Sequence, residues 1–261
     1  MPLPTVLMTD VIRSTRQGQS HGGAYLIDLE SGAVRQVIDH ATANINWEGR
    51  GMGRGLRGIA YDDNEIYIAA SDELFVYDPD FNLLRSHTCP NLHHAHEICR
   101  DGRRLYVTST THDSVLEFDL DQRIFSAGWY IRAEQRPGPS GLPMSVSRFD
   151  PRSAKGPPGE DRFHFNSVWR HKGKTLLSGT VLPLLLAIDG SRLTPFAKLP
   201  VGTHNARPFK DGVLCNATEQ DCALRADLAG RPKARFPIPT YDPDTLIASD
   251  TPGDHARQGF A

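Results

Sequence analysis

The chain has 261 residues, 39% of them apolar, which is enough for one large hydrophobic core or two small ones and excludes a peptide or a disordered tail. Its 29 Lys and Arg against 31 Asp and Glu leave a net charge of −2, and with a pI near 6.6 this argues against a nucleic-acid partner. Four cysteines without a C-x-x-C pair exclude a disulfide-framed mini-domain and suggest no structural zinc site.

The first segment, Met1 to Thr15, lacks the basic start and apolar run of a signal peptide. The most apolar run, Leu182 to Ile188, is too short to span a bilayer, so a cytoplasmic protein with no membrane partner is expected. Three short runs follow in order, Val6 to Asp10, Gly23 to Leu29 and Ala33 to Val37, each reading as a strand. A glycine- and arginine-rich run then spans Asn46 to Gly58. Its Gly53, Gly55 and Gly58 fit the dinucleotide spacing G-x-G-x-x-G, but that fingerprint opens a helix, and a strand pattern follows here instead.

From Arg57 the chain repeats itself. One unit runs from Arg57 to Leu84 and the next from His96 to Phe125, with Ile59 matching Ile98, Tyr67 matching Tyr106 and Tyr77 matching Phe118. A third unit starts at His164 and a fourth at His204. A period of about 40 residues marks propellers or solenoids. Each unit holds β-branched and aromatic runs divided by turn signals such as Asp-Gly and Lys-Gly, the pattern of antiparallel hairpins. The aspartates of Tyr77-Asp-Pro-Asp, Phe118-Asp-Leu-Asp and Tyr241-Asp-Pro-Asp read as Asx turns rather than calcium ligands. Cys215 and Cys222, on one predicted hairpin, read as buried free thiols.

The stretch from Trp129 to Arg162 carries Pro137, Pro139, Pro143, Pro151, Pro157 and Pro158 and reads as a long loop. At the other end, His255 to Phe260 resembles the first strand of a unit whose remaining three are the N-terminal runs. Circular closure of that kind predicts one all-β domain over residues 1–261, a five-bladed β-propeller, with six blades as the alternative if the Pro-rich stretch hides one.

His94, His164 and His204, aligned on the turns at Gly102, Gly173 and Gly212, each open the innermost strand of a unit, and His255 takes the same place by analogy. His96 follows two residues after His94, and alternation along a strand points both the same way. In a propeller, equivalent residues on the innermost strands ring the central channel. A ring of imidazoles is a ligand set for a divalent transition metal, iron, copper, manganese or zinc, with positions left open for a small-molecule substrate. The candidate metal ligands are therefore His94, His96, His164, His204 and His255.

Glu97 and Asn166 are candidates for holding the outer nitrogens of these histidines. Arg50, Arg54 and Arg57, spaced among glycines, with Arg207 and Arg257 close behind His204 and His255, suit bidentate capture of a carboxylate or phosphate. Arg57, Glu97 and Arg207 are accordingly the expected catalytic residues. The ring resembles that of the carotenoid-cleaving oxygenases, in which four histidines on the inner strands of a larger propeller hold a non-haem iron; the likeness is confined to the ring. The expectation is a metal-dependent enzyme, an oxygenase or lyase, acting on an acidic small molecule. Its rival is a non-catalytic propeller that binds a protein or carbohydrate partner through Trp129, Tyr130 and the Pro-rich loop.

Overall fold

The structure is a computed structural model that describes residues 2–12, 19–41, 55–136 and 141–239. Five antiparallel sheets follow one another along the chain. Blade 1 holds β1 (Thr5–Thr9), β2 (Gly23–Asp28) and β3 (Val34–Asp39). Blade 2 holds β4 (Ile59–Asp62), β5 (Glu65–Ala70), β6 (Glu73–Tyr77) and β7 (Leu83–His87). Blade 3 holds β8 (Ile98–Asp101), β9 (Arg104–Ser109), β10 (Ser114–Asp119), β11 (Ile124–Ala133) and β12 (Met144–Phe149). Blade 4 comprises β13 (Phe165–His171), β14 (Lys174–Gly179), β15 (Leu184–Asp189) and β16 (Arg192–Lys198). Blade 5 comprises β17 (Thr203–Phe209), β18 (Gly212–Ala217), β19 (Cys222–Asp227) and β20 (Pro232–Pro237). The architecture is a five-bladed β-propeller, in which β4 meets β8, β8 meets β13 and β13 meets β17 around the axis.

Local chemistry explains the regularity. The first hairpin of blades 2 to 5 turns on two residues, and Asp63, Gly102, Lys172 with Gly173, and Lys210 supply the positive φ that such turns need. The turn between the third and fourth strands is held by an aspartate that accepts from the backbone ahead of it. Asp78 Oδ1 accepts from Asp80 and Asn82, and Asp119 Oδ1 accepts from Asp121 and Gln122, all at 2.8–2.9 Å. These are Asx turns, as expected for both motifs. Tyr241-Asp-Pro-Asp lies outside the described residues.

The core lies between the blades rather than inside any one of them. Tyr67, Leu74 and Val76 of blade 2 pack against Leu105, Val107 and Phe118 of blade 3. Cys99 and Ile131 of blade 3 meet Phe165, Val168 and Leu177 of blade 4, and Leu176 and Leu185 meet Val213, Cys215 and Leu224 of blade 5. Each such side chain contributes about 1.5–3 kcal/mol on burial, so neighbouring blades fix one another's tilt. All four cysteines are free, and Cys215 and Cys222 are buried.

The Pro-rich loop is corrected in part. Trp129 to Ala133 complete β11, and Met144 to Phe149 form β12, which pairs with β11 as a fifth strand on blade 3. Alternation decides this: Met144 and Val146 turn inward onto the core while Ser145 and Ser147 do not, and Pro137, Pro139 and Pro143 all fall between the two strands. Trp129 and Tyr130 therefore sit opposite Arg148 and Ser147 within a sheet, with Trp129 packed against the blade 3–blade 4 core. The closing strand expected at His255 to Phe260 lies outside the described residues, where blade 1 has three strands. Among the described residues no helix is long and apolar enough to cross a membrane.

Candidate metal centre

Strand alternation brings two sets of connections to one face of the propeller: those entering each inner strand, and those joining the second strand of a blade to its third. On that face His94, His96 and His164 converge. One nitrogen from each lies within 4.8 Å of the other two, and this is the one such group of histidine, cysteine or carboxylate ligands among the described residues. The ring centroids stand 4.2 Å apart for His94 and His96, 5.5 Å for His94 and His164, and 5.3 Å for His96 and His164. A tetrahedral ion bound at about 2.0–2.1 Å would hold its nitrogens about 3.4 Å apart, so small ring rotations close the group on a metal.

Two of the three residues have left-handed backbones, His94 at φ 56° and His164 at φ 51°, which non-glycine residues adopt only when their surroundings enforce it. Asp72, in the turn between β5 and β6, does this for His94 by accepting its backbone N–H at 3.2 Å. Burial acts to raise the Asp72 carboxyl, but His93, the His94 amide and Ser71 together hold it below its ordinary value. The turn Thr110–Asp113 does the same for His164. Asp113 accepts from the backbone N–H of Arg162 at 2.8 Å and of Phe163 at 2.9 Å, gripping the loop that delivers the histidine. Thr108 Oγ1 accepts from the amides of His96 and Glu97 at 3.0 and 3.1 Å, fixing the start of β8.

The hydrogen bonds also assign the tautomers. Thr110 Oγ1 lies 2.6 Å from the Phe165 carbonyl, to which its one proton must go, so it can only accept from His96 Nδ1 at 2.9 Å. The His94 carbonyl, 3.0 Å from the same Nδ1, is likewise only an acceptor. His164 Nδ1 faces Asp161 Oδ1 at 3.0 Å. Both imidazoles thus donate from Nδ1, which leaves Nε2 as the nitrogen that can face a metal. Burial first, and then the nearby charge of Arg57, His94 and His164, holds His96 well below its ordinary value, which keeps it neutral. Sequence reasoning missed Thr110, Asp113 and Asp161. The signal was the Thr-x-x-Asp spacing that recurs at Thr218–Asp221 in blade 5, where Thr218 Oγ1 donates to the Gly202 carbonyl.

His204 does not join the group, and strand register explains why. In blade 5 a bulge between His204 and Arg207 interrupts the pairing of β17 with β18 and leaves His204 opposite Asn216, and in blade 4 a bulge between Phe165 and Ser167 does the same just after His164. The place of His204 is thus set by the bulge that follows it and not by its distance along the chain from the hairpin. The glycines used for alignment occupy different places: Gly102 is the first turn residue, Gly173 the second, and Gly212 already begins β18.

Arg57 is half-buried, and Gly58 after it donates to the His96 carbonyl at 2.8 Å. Burial pushes the Glu97 carboxyl up to about 7, opposed by the Ile98 amide and by Arg207. Arg207 is exposed, its guanidinium 5.7 Å from the Trp169 ring. Asn166 holds no histidine nitrogen; its Nδ2 donates to the Thr203 carbonyl at 3.3 Å. His255, Arg50, Arg54 and Arg257 lie outside the described residues.

The sequence matches no protein family and none of the curated proteins. Among solved structures, the chain is similar to a protein of unknown function from Bacteroides caccae at 15% identity and a TM-score of 0.56, covering 90% of this chain and 73% of that one. It is similar to a chain of the mitotic checkpoint complex at 10% identity and a TM-score of 0.50, covering 91% and 83%. Virginiamycin B lyase from Staphylococcus aureus matches at 11% identity and a TM-score of 0.46, covering 90% and 89%. What the first two share with this chain is the propeller fold.

Proposed function

We propose that this propeller is a metal-dependent enzyme acting on a small acidic molecule, with a divalent transition metal bound by His94, His96 and His164. The observation that supports the reading is the convergence of three imidazoles, two of them held in the ligating tautomer by Thr110 and Asp161. Imidazole suits iron, copper and zinc, and three neutral ligands leave the ion its full charge and at least one open position. When bound, such an ion supplies a Lewis acid for lyase chemistry or an oxygen-activating centre for oxidative chemistry. In this reading Arg57, whose charge acts on His96, orients an acidic substrate, and Glu97 exchanges a proton with it. Arg207 lies further out and balances Glu97. His204 lies outside the triad, on the first strand of blade 5.

The test is elemental analysis of untagged protein, in parallel with a His94→Ala, His164→Ala double variant. The expected result is about one metal ion per chain, absent from a variant that still unfolds cooperatively. No metal after reconstitution with iron, copper, manganese and zinc would overturn the proposal.

A further inference from the structure

The first hairpin of each blade turns on the face opposite the histidines, and towards that face three inner strands each send an arginine onto the blade before them. Arg100 of β8 reaches blade 2, where Asp62 lies 2.6 Å from its guanidinium. Arg170 of β13 reaches blade 3, 4.6 Å from the Tyr106 ring and 2.9 Å from Asp101. Arg207 of β17 reaches blade 4, 5.7 Å from the Trp169 ring. Asp62 and Asp101 close the first hairpins of blades 2 and 3, opposite Glu65 and Arg104, and the residue in that place in blade 4 is His171, opposite Lys174. Blade 4 thus offers an imidazole where blades 2 and 3 offer a carboxylate. Among the described residues Arg207 forms no ion pair: Asp211, in the turn after β17, is taken by Arg225 at 3.1 Å, and Glu97 feels the charge of Arg207 only from beyond ion-pair distance.

Both strands are regular here, because their bulges lie earlier, before Ser167 and before Arg207. Alternation sets Trp169 and His171 on one side of β13 and Arg207 and Phe209 on one side of β17, and the approach of Arg207 to Trp169 shows that these two sides face each other. All four side chains keep accessible surface: Trp169 and His171 are half-buried, Arg207 is exposed, and Phe209 is 40% exposed. Lys172 and Lys210, exposed in the two adjoining turns, add positive charge. A guanidinium and an imidazole therefore stand beside two accessible aromatic rings with no carboxylate paired to them. We infer that this junction of blades 4 and 5 binds an aryl carboxylate, Arg207 taking the carboxylate and Trp169 and Phe209 packing against the ring. A guanidinium holds a carboxylate by two parallel N–H···O bonds, and aromatic faces beside it favour a flat body over an aliphatic one. The site uses no metal and does not depend on the reading of the triad.

Benzoate, benzamide and acetate are the probes, the second lacking the charge and the third the ring. Their binding to the full chain is measured by ligand-observed NMR titration. The expected result is benzoate binding about tenfold tighter than either of the others, the size of one charge-assisted hydrogen bond. Arg207→Ala should bring benzoate to the level of benzamide. His171→Asp supplies from within the carboxylate that blade 4 lacks, so it should abolish the preference for benzoate while leaving the melting temperature no lower, a result that loss of folding cannot imitate. The His94→Ala, His164→Ala double variant should bind benzoate as the native chain does. Equal binding of benzoate and benzamide to the native chain overturns the inference, as does a benzoate preference that survives His171→Asp. A preference lost from the double variant while it still unfolds cooperatively puts the carboxylate at the triad and overturns the inference as well. Metal content is read separately, and its absence would sink the metal reading without touching this site.

Discussion

Asp161 Oδ1 and Oδ2 lie 3.0 and 3.2 Å from His164 Nδ1, three residues apart in a loop that both enter with left-handed backbones. A carboxylate in that position fixes the ring, commits the proton to Nδ1 and raises the basicity of Nε2. Asp161→Asn keeps an acceptor there and removes the charge. Metal affinity, measured by competition with a chromophoric chelator, should fall about 10- to 100-fold with the fold intact. Unchanged affinity would mean that Asp161 only shapes the loop.

Thr110 joins the two halves of the site, donating to the Phe165 carbonyl at 2.6 Å and accepting from His96 at 2.9 Å. Thr110→Val conserves its volume and deletes both bonds at a fully buried position. The loss should be about 1–3 kcal/mol of stability, since a buried carbonyl is left unpaired. Chemical denaturation checks this through a lower midpoint at unchanged slope. Metal affinity should fall as well, because His96 loses one of the two acceptors that fix its tautomer.

The fold was legible because each blade spells out its own hairpins, and apolar positions such as Ile59 and Ile98 recur where strands must bury the same face against the next blade. The triad was legible only in part. His94 and His96 come from blade 3 and His164 from blade 4, and the chain bends through left-handed backbones at His94 and His164 as it enters the inner strands. No strand periodicity encodes such a bend. His204 was aligned with His94 and His164 by taking glycine as the fixed point of each hairpin, whereas Lys172, Lys210 and Asp63 also adopt positive φ and a bulge follows His204 in β17. The prolines hid β12, although the inward turn of Met144 and Val146 was in plain view. Thr110, Asp113 and Asp161 act from loops of unequal length, where a repeat gives no guide to which side chain will face a histidine.

His40 gives the protein a pH dependence. It is 2% exposed, with its ring edge-on to Phe75 at 5.5 Å, and burial first, then the neighbouring His21, lowers its pKa from 6.5 to about 4 against the pull of Asp39. The unfolded chain therefore takes up a proton near pH 6.5, while the folded chain resists until about 4. Below 6.5 the unfolded state binds more protons, so stability is full above that pH and declines as pH falls towards 4. The decline from this residue should reach about 3 kcal/mol. Guanidinium midpoints between pH 7.5 and 4 should fall more steeply for the native chain than for His40→Leu, which preserves the backbone bonds of His40 to His21 and Gly22. Parallel curves would show that His40 does not titrate with unfolding.

Gly58 sits where the inner strands of blades 2 and 3 touch. A Cβ there would come within 2.5 Å of the Ile98 nitrogen and 2.8 Å of the Glu97 Cα, distances at which backbone must move. Those atoms belong to the segment that carries His96, whose carbonyl accepts from Gly58. Overpacking a backbone contact costs about 1–3 kcal/mol, and neither neighbour here is a flexible side chain that can swing aside. Gly58→Ala should therefore lower thermal stability and, by pushing β8 away from blade 2, displace His96 from His94 and His164, so that metal affinity falls along with the melting temperature. Gly102→Ala provides the contrast: with nothing within 4 Å of its Cβ, it strains only a turn at φ 58°, and its effect should be confined to stability. Loss of metal in Gly102→Ala, or retention of native affinity in Gly58→Ala, would break the link drawn between the blade 2–blade 3 contact and the geometry of the triad.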